Sequence, residues 1–135
     1  IKMKLKTFLA TGAGIIIAYA TIFLVEMLGM NLFPSDEKFK PTNLEELKRL
    51  IENIPVMALM IIALGHGLAI FLAGVTVNKI EPNSIVGYLV IFLLLLFGTI
   101  SNLYMIPHPI WFVVTDLAVF GAGALAGWKL LKWTN

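Results

Sequence analysis

A chain of 135 residues that is 59% hydrophobic and only 13% charged carries more apolar surface than a soluble fold of this size can bury, since soluble domains average about 25% charged residues. Its net charge of +2, with no run of Lys and Arg, excludes a grip on nucleic acid, and the absence of cysteine excludes disulfides, thiolate metal sites and cysteine nucleophiles. The partner that composition does fit is a lipid bilayer, which each helix crosses with about 20 largely apolar residues.

The first apolar stretch, residues 7–31, follows Lys2, Lys4 and Lys6. Ala18-Tyr19-Ala20 resembles a signal cleavage site, but a secretory signal has an apolar core of about 7–15 residues. Here the run continues from Phe8 to Phe33, with Glu26 as its one acidic interruption, and it reads as a membrane span. Pro34 and Pro41 then bracket a polar loop with a helix of its own over residues 43–54. Thr42 with Glu45 three residues on predicts a capping box. Leu44, Leu47, Ile51 and Ile54 fall on one face, and Glu45, Glu46, Lys48, Arg49 and Glu52 fall elsewhere. Such a helix is expected to lie along the membrane interface.

Residues 55–78, 84–106 and 109–131 supply three further spans. Pro55 suits a helix start, Glu81-Pro82-Asn83 makes a tight turn, and Pro107-His108-Pro109 forbids a continuous helix. Loops this short predict that spans two, three and four pack as antiparallel neighbours. The fold class is therefore all-α: one domain, an integral membrane four-helix bundle with a short amphipathic helix in the first loop.

An even number of spans puts both termini on one side. That side carries Lys2, Lys4, Lys6, Lys79, Lys129 and Lys132, against Lys38, Lys40, Lys48 and Arg49 on the other, where five acidic residues share the loop. The excess predicts cytoplasmic termini. Trp111 near one face, with Trp128 and Trp133 near the other, fits an aromatic belt at each interface.

Small residues recur at four-residue spacing: Ala10 and Gly14, then Gly65, Ala69 and Ala73, then Gly123 and Gly127. In lipid such rows let helix backbones touch. Packing within the bundle accounts for them, and the same rows would equally serve an interface between copies of the chain.

Polar residues at membrane depth are where chemistry would have to occur. Counted from the span ends, Glu26, Asn102 and Asp116 fall in the outer half of the bilayer, His66 lies somewhat deeper, and His108 sits in the outer turn. Each shares a helical face with small or polar neighbours, Glu26 with Tyr19 and Gly12, His66 with Ala63 and Ala73, Asn102 with Gly98, Asp116 with Gly123. This predicts that they point inward, because a carboxylate facing lipid at mid-helix costs about 2.5–3.5 kcal/mol. Glu26, His66, Asn102 and Asp116 form a candidate proton or cation site, with His108 and Tyr19 as secondary members. The plainer reading is a hydrogen-bonded lock, for example Glu26 with Asn102. No His-x-x-x-His, Glu-x-x-His, serine-nucleophile or phosphate-loop pattern occurs, so no catalytic residue, cofactor or metal ligand is specified and an enzyme is disfavoured.

The strings Val25-Glu26-Met27-Leu28-Gly29 with Leu32-Phe33-Pro34, and Asn102-Leu103-Tyr104-Met105-Ile106-Pro107-His108-Pro109-Ile110-Trp111-Phe112, resemble those of a group of small uncharacterised four-helix membrane proteins of bacteria. The resemblance spans the chain and implies a bacterial inner membrane, with no activity attached. Members of that group often have histidine after the glycine of the first motif, where this chain has Met30; a metal site there is correspondingly disfavoured. Two functions remain in view, a transport or ion-conducting module with its site in the polar layer, and a non-catalytic accessory or scaffold subunit in which that layer only locks the helices.

Overall fold

The computed structural model describes residues 4–34 and 40–133, with the side chain of Trp133 left aside. Lys2 and Lys38, counted above for orientation, lie outside the described residues. The described chain forms five helices: α1 (Leu5–Leu32), α2 (Leu44–Glu52), α3 (Val56–Ile80), α4 (Ile85–Met105) and α5 (Ile110–Trp133). All but α2 are long and apolar enough to cross a membrane. The fold is an all-α membrane bundle with a short amphipathic helix in its first connection.

The four long helices are apolar around their whole circumference, as helices solvated by lipid are, and each buries only a stripe. On α1 the stripe is Thr7, Ala10, Thr11, Gly14, Ala18 and Gly29. Helix α3 is the most enclosed. It packs most extensively against α5 and α1, whereas α4 touches its neighbours lightly. Spans two, three and four do meet as antiparallel neighbours through α4, but the broadest seam joins α3 to α5, which run parallel.

Side-chain size explains this arrangement. A Cβ placed on Gly123 would collide with the Gly67 carbonyl, one on Gly67 would lie 2.7 Å from the Val119 carbonyl oxygen, and one on Gly74 would lie 3.0 Å from Gly127 Cα. Those backbones are already in contact. Helix α4, filled with Leu, Ile and Phe between Gly87 and Gly98, has no surface flat enough to compete. It is fastened instead by Tyr88, whose hydroxyl donates to the Ala124 carbonyl across 2.8 Å.

The connections follow their sequence cues with one shift of register. The N-cap of α2 is Asn43, which accepts from the Glu46 N–H at 2.9 Å, so the box expected at Thr42 and Glu45 lies one residue further on. Glu46 reaches back to accept from both the N–H and the hydroxyl of Thr42. These bonds to the ionised form, with Arg49 nearby, hold the Glu46 carboxyl below its usual range. Of the expected apolar face, Ile51 is buried and Leu44 is exposed. Asn83 takes a positive φ of 63° in the turn between α3 and α4, a conformation asparagine tolerates.

Candidate functional site

Helices α3 and α5 both begin at the end of the bundle that carries α2, called here the α2 end. Asp116, six residues into α5, lies roughly 9 Å below that end, and His66, ten residues into α3, roughly 15 Å below it. The glycine contacts place Gly67 between the levels of Val119 and Gly123, so His66 is level with Phe120. A helical side chain leans toward the N-terminus of its helix, and His66 thereby reaches Asp116 one turn above. The two meet at 2.7 Å between Nδ1 and Oδ1. The proton of this bond sits on Nδ1 when Asp116 is ionised and on Oδ1 when the carboxyl is neutral.

The setting is apolar. Asp116 is 0% exposed and His66 8%. On α5 the carboxylate is flanked one turn either side by buried Phe112 and Phe120. Asp116 Oδ1 is bonded to His66, but Oδ2 is buried without a protein partner, and so are both ring nitrogens of His108. The His108 ring rests on Phe112, centroids 4.7 Å apart. Burial pushes the His108 imidazole below its usual range; the Asp116 carboxylate opposes that shift and His66 adds to it.

His66 also lines a cavity of about 170 Å³ together with Tyr19, Thr99 and Asn102 and the apolar Leu95 and Phe120. With Nδ1 engaged by Asp116, the nitrogen His66 can offer to that cavity is Nε2. On the side away from the α2 end, Ala69, Ile70, Ala73, Val77 and Ile91 pack without exposure, so the polar layer has an apolar floor.

Of the residues singled out in the sequence, His66 and Asp116 are in direct contact, Asn102 shares the cavity with His66, and Tyr19, half exposed, stands at its edge. His108 lies within electrostatic reach of both members of the pair. Glu26 is the exception, and its expected inward placement is corrected. It is exposed, forms no hydrogen bond or ion pair among the described residues, and lines a separate groove of about 770 Å³ between the end of α1, α2 and the start of α3. Its expected lock with Asn102 is not formed. The face that Glu26 shares with Tyr19 and Gly12 is not the buried one, and a Cβ on Gly12 would meet nothing within 4 Å. Among the described residues no cluster of three or more His, Asp or Glu side chains is arranged to hold a metal.

Thr99, buried in the cavity wall, was not apparent from sequence, because threonine in an apolar span commonly bonds to its own helix, as Thr11, Thr21, Thr76 and Thr115 do here. Fold and site together define a small multi-pass membrane protein with a buried histidine–carboxylate pair. No family model, no curated protein and no solved structure matches the chain.

Proposed function

We propose that the chain is a small proton-coupled transport module of a bacterial inner membrane, termini cytoplasmic, with the His66–Asp116 pair as its proton site. The observation that carries this reading is a fully buried carboxylate whose single protein partner is a titratable imidazole 2.7 Å away. The pair carries no net charge when it holds one proton in the bond and a second on Nε2. Gaining or losing another creates a net charge in an apolar interior, which is expensive unless the surroundings rearrange. Protonation is thereby coupled to the packing of α3 against α5. The adjoining cavity of about 170 Å³ has room for a few waters or one small polar solute, with Asn102, Thr99 and Tyr19 as hydrogen-bonding groups. The apolar floor favours access from one side at a time over an open pore.

The same bond crosses the tightest helix seam, which favours a second reading, an accessory subunit in which the pair only locks α3 to α5. Proteoliposomes with a pH-sensitive dye separate the two. Asp116→Asn keeps a hydrogen-bonding side chain of nearly the same shape and removes the titratable oxygen. Under the transport reading the wild type dissipates an imposed pH gradient and Asp116→Asn does not, although it stays folded. Wild-type liposomes no leakier than empty ones, under gradients of either direction, would leave the lock.

A further inference from the structure

Toward the α2 end, Asp116 Oδ2 and the two ring nitrogens of His108 are buried without a protein partner. Leaving such atoms unpaired is costly, so a polar partner shared by Oδ2 and the ring nitrogen nearer to it is the economical arrangement. Geometry brings them toward each other. The His108 ring lies on Phe112, and Phe112 stands one helical turn above Asp116 on the same buried stripe of α5. The lean of helical side chains toward the N-terminus aims the carboxylate in the direction of that ring. Pro107 and Pro109 fix φ on either side of His108, and its N–H donates to the Ile106 carbonyl at 2.8 Å, so the imidazole is held over the α2 end of the bundle. A metal cation would need more ligands than this layer offers. A water needs only two to four polar partners and can donate to Oδ2 while it bonds an imidazole nitrogen.

We propose that a water held between Asp116 Oδ2 and His108 joins His108, Asp116 and His66 into a proton path that opens at the Pro107-His108-Pro109 turn and ends at His66 Nε2 in the cavity. Both ring nitrogens are closed off from solvent in this state. The Pro107-His108-Pro109 turn, where His108 is partly exposed, therefore opens for one nitrogen to take a proton from the aqueous side of the α2 end while the other yields one through the water to Oδ2. Asp116 passes a proton from Oδ1 to His66 Nδ1, and Nε2 releases one into the cavity. Each group gains one proton as it gives one up, so no further reactant is required. Asp116 on α5 and His66 on α3 are the titratable groups acting on His108; Glu26 of α1 lines a separate groove and Tyr104 of α4 is 91% exposed.

This path rests on the proton-coupled reading above, and the test keeps the two apart. His108→Gln and His108→Ala are measured in liposomes alongside Asp116→Asn, with proton flux driven from the α2 end. Loss of the relay should slow flux about tenfold or more, and imidazole added on that side should restore His108→Ala, which a purely structural role for His108 would not allow. The chain has two histidines, so ¹⁵N-imidazole NMR in detergent follows His108 directly; Asp116→Asn should move its titration midpoint downward by removing the carboxylate that favours its charged form. Undiminished flux in His108→Gln with none in Asp116→Asn overturns the path and leaves the pair as the proton site. A wild type without flux defeats the transport reading, and the NMR shift still decides whether Asp116 acts on His108: a midpoint unmoved by Asp116→Asn overturns the path.

Discussion

Glu81 sits in the turn between α3 and α4, where the Thr7 hydroxyl donates to its Oε1 across 3.0 Å. The Ser84 and Thr7 hydroxyls, aided by Lys6 and Lys4, hold this carboxyl below its usual range. A carboxyl depressed in the folded state contributes stability that is present above its unfolded pKa of about 4.5 and is lost as pH falls through the folded value. Glu81→Gln should therefore flatten the acid limb of thermal stability in detergent below about pH 4.5, with a residual slope from Glu46, whose carboxyl is depressed as well. An unchanged acid limb would show that the Thr7 clasp contributes nothing. His108 acts in a different window. Its imidazole is depressed by burial, so the neutral form is favoured on folding, and its contribution is complete above about pH 6.5 and fades as pH falls toward the folded value. His108→Gln should remove that near-neutral slope while leaving the acid limb intact. At this scale the sequence marked the ionisable residues in the spans but not their pairing. His66 and Asp116 were legible as polar groups at neighbouring depths. Glu26 was misplaced because a glycine and a tyrosine on its face were taken as signs of an interior that a different stripe of α1 occupies.

For helices as units, small residues decide which seams close. Gly123→Leu should destabilise by about 1–3 kcal/mol or more, because its first side-chain atom already meets the Gly67 carbonyl and no rotamer avoids backbone. Gly98→Ala is the contrasting variant. A Cβ there meets nothing within 4 Å, so the replacement should be neutral or stabilise by up to about 1 kcal/mol through the lower helix propensity of glycine. Equal melting temperatures for Gly123→Leu and wild type would remove the α3–α5 contact as a source of stability. Spacing alone identified the rows Gly65-Ala69-Ala73 and Gly123-Gly127. It could not rank helix pairs, since short loops argue for sequence neighbours, whereas close backbone approach joins α3 to α5 across the chain. The capping register of α2 was off by one residue for a local reason: Thr42, Asn43, Glu45 and Glu46 offer two overlapping boxes, and asparagine is at least as good an N-cap as threonine.

In the molecule as a whole, one asymmetry would set the direction of the proposed proton movement. The polar layer, the His108 turn and the cavity all lie toward the α2 end, while directly below them Ala69, Ile70, Ala73, Val77 and Ile91 pack without exposure. Which compartment feeds the site therefore depends on topology, and topology rests on the lysine excess beside the termini and the α3–α4 turn. The absence of native cysteine makes single-cysteine labelling direct. Glu45 on α2 and Lys129 near the end of α5 are both exposed and lie at opposite ends of the bundle. With cytoplasmic termini, an impermeant maleimide should label Glu45→Cys in intact cells and Lys129→Cys only after permeabilisation. The reverse pattern would turn the His108 turn toward the cytoplasm, and the proposed path would then open to the inside. Labelling of both positions in intact cells would mean a mixed orientation, in which case gradients of either sign should drive flux through reconstituted protein and the lysine excess would not be setting direction.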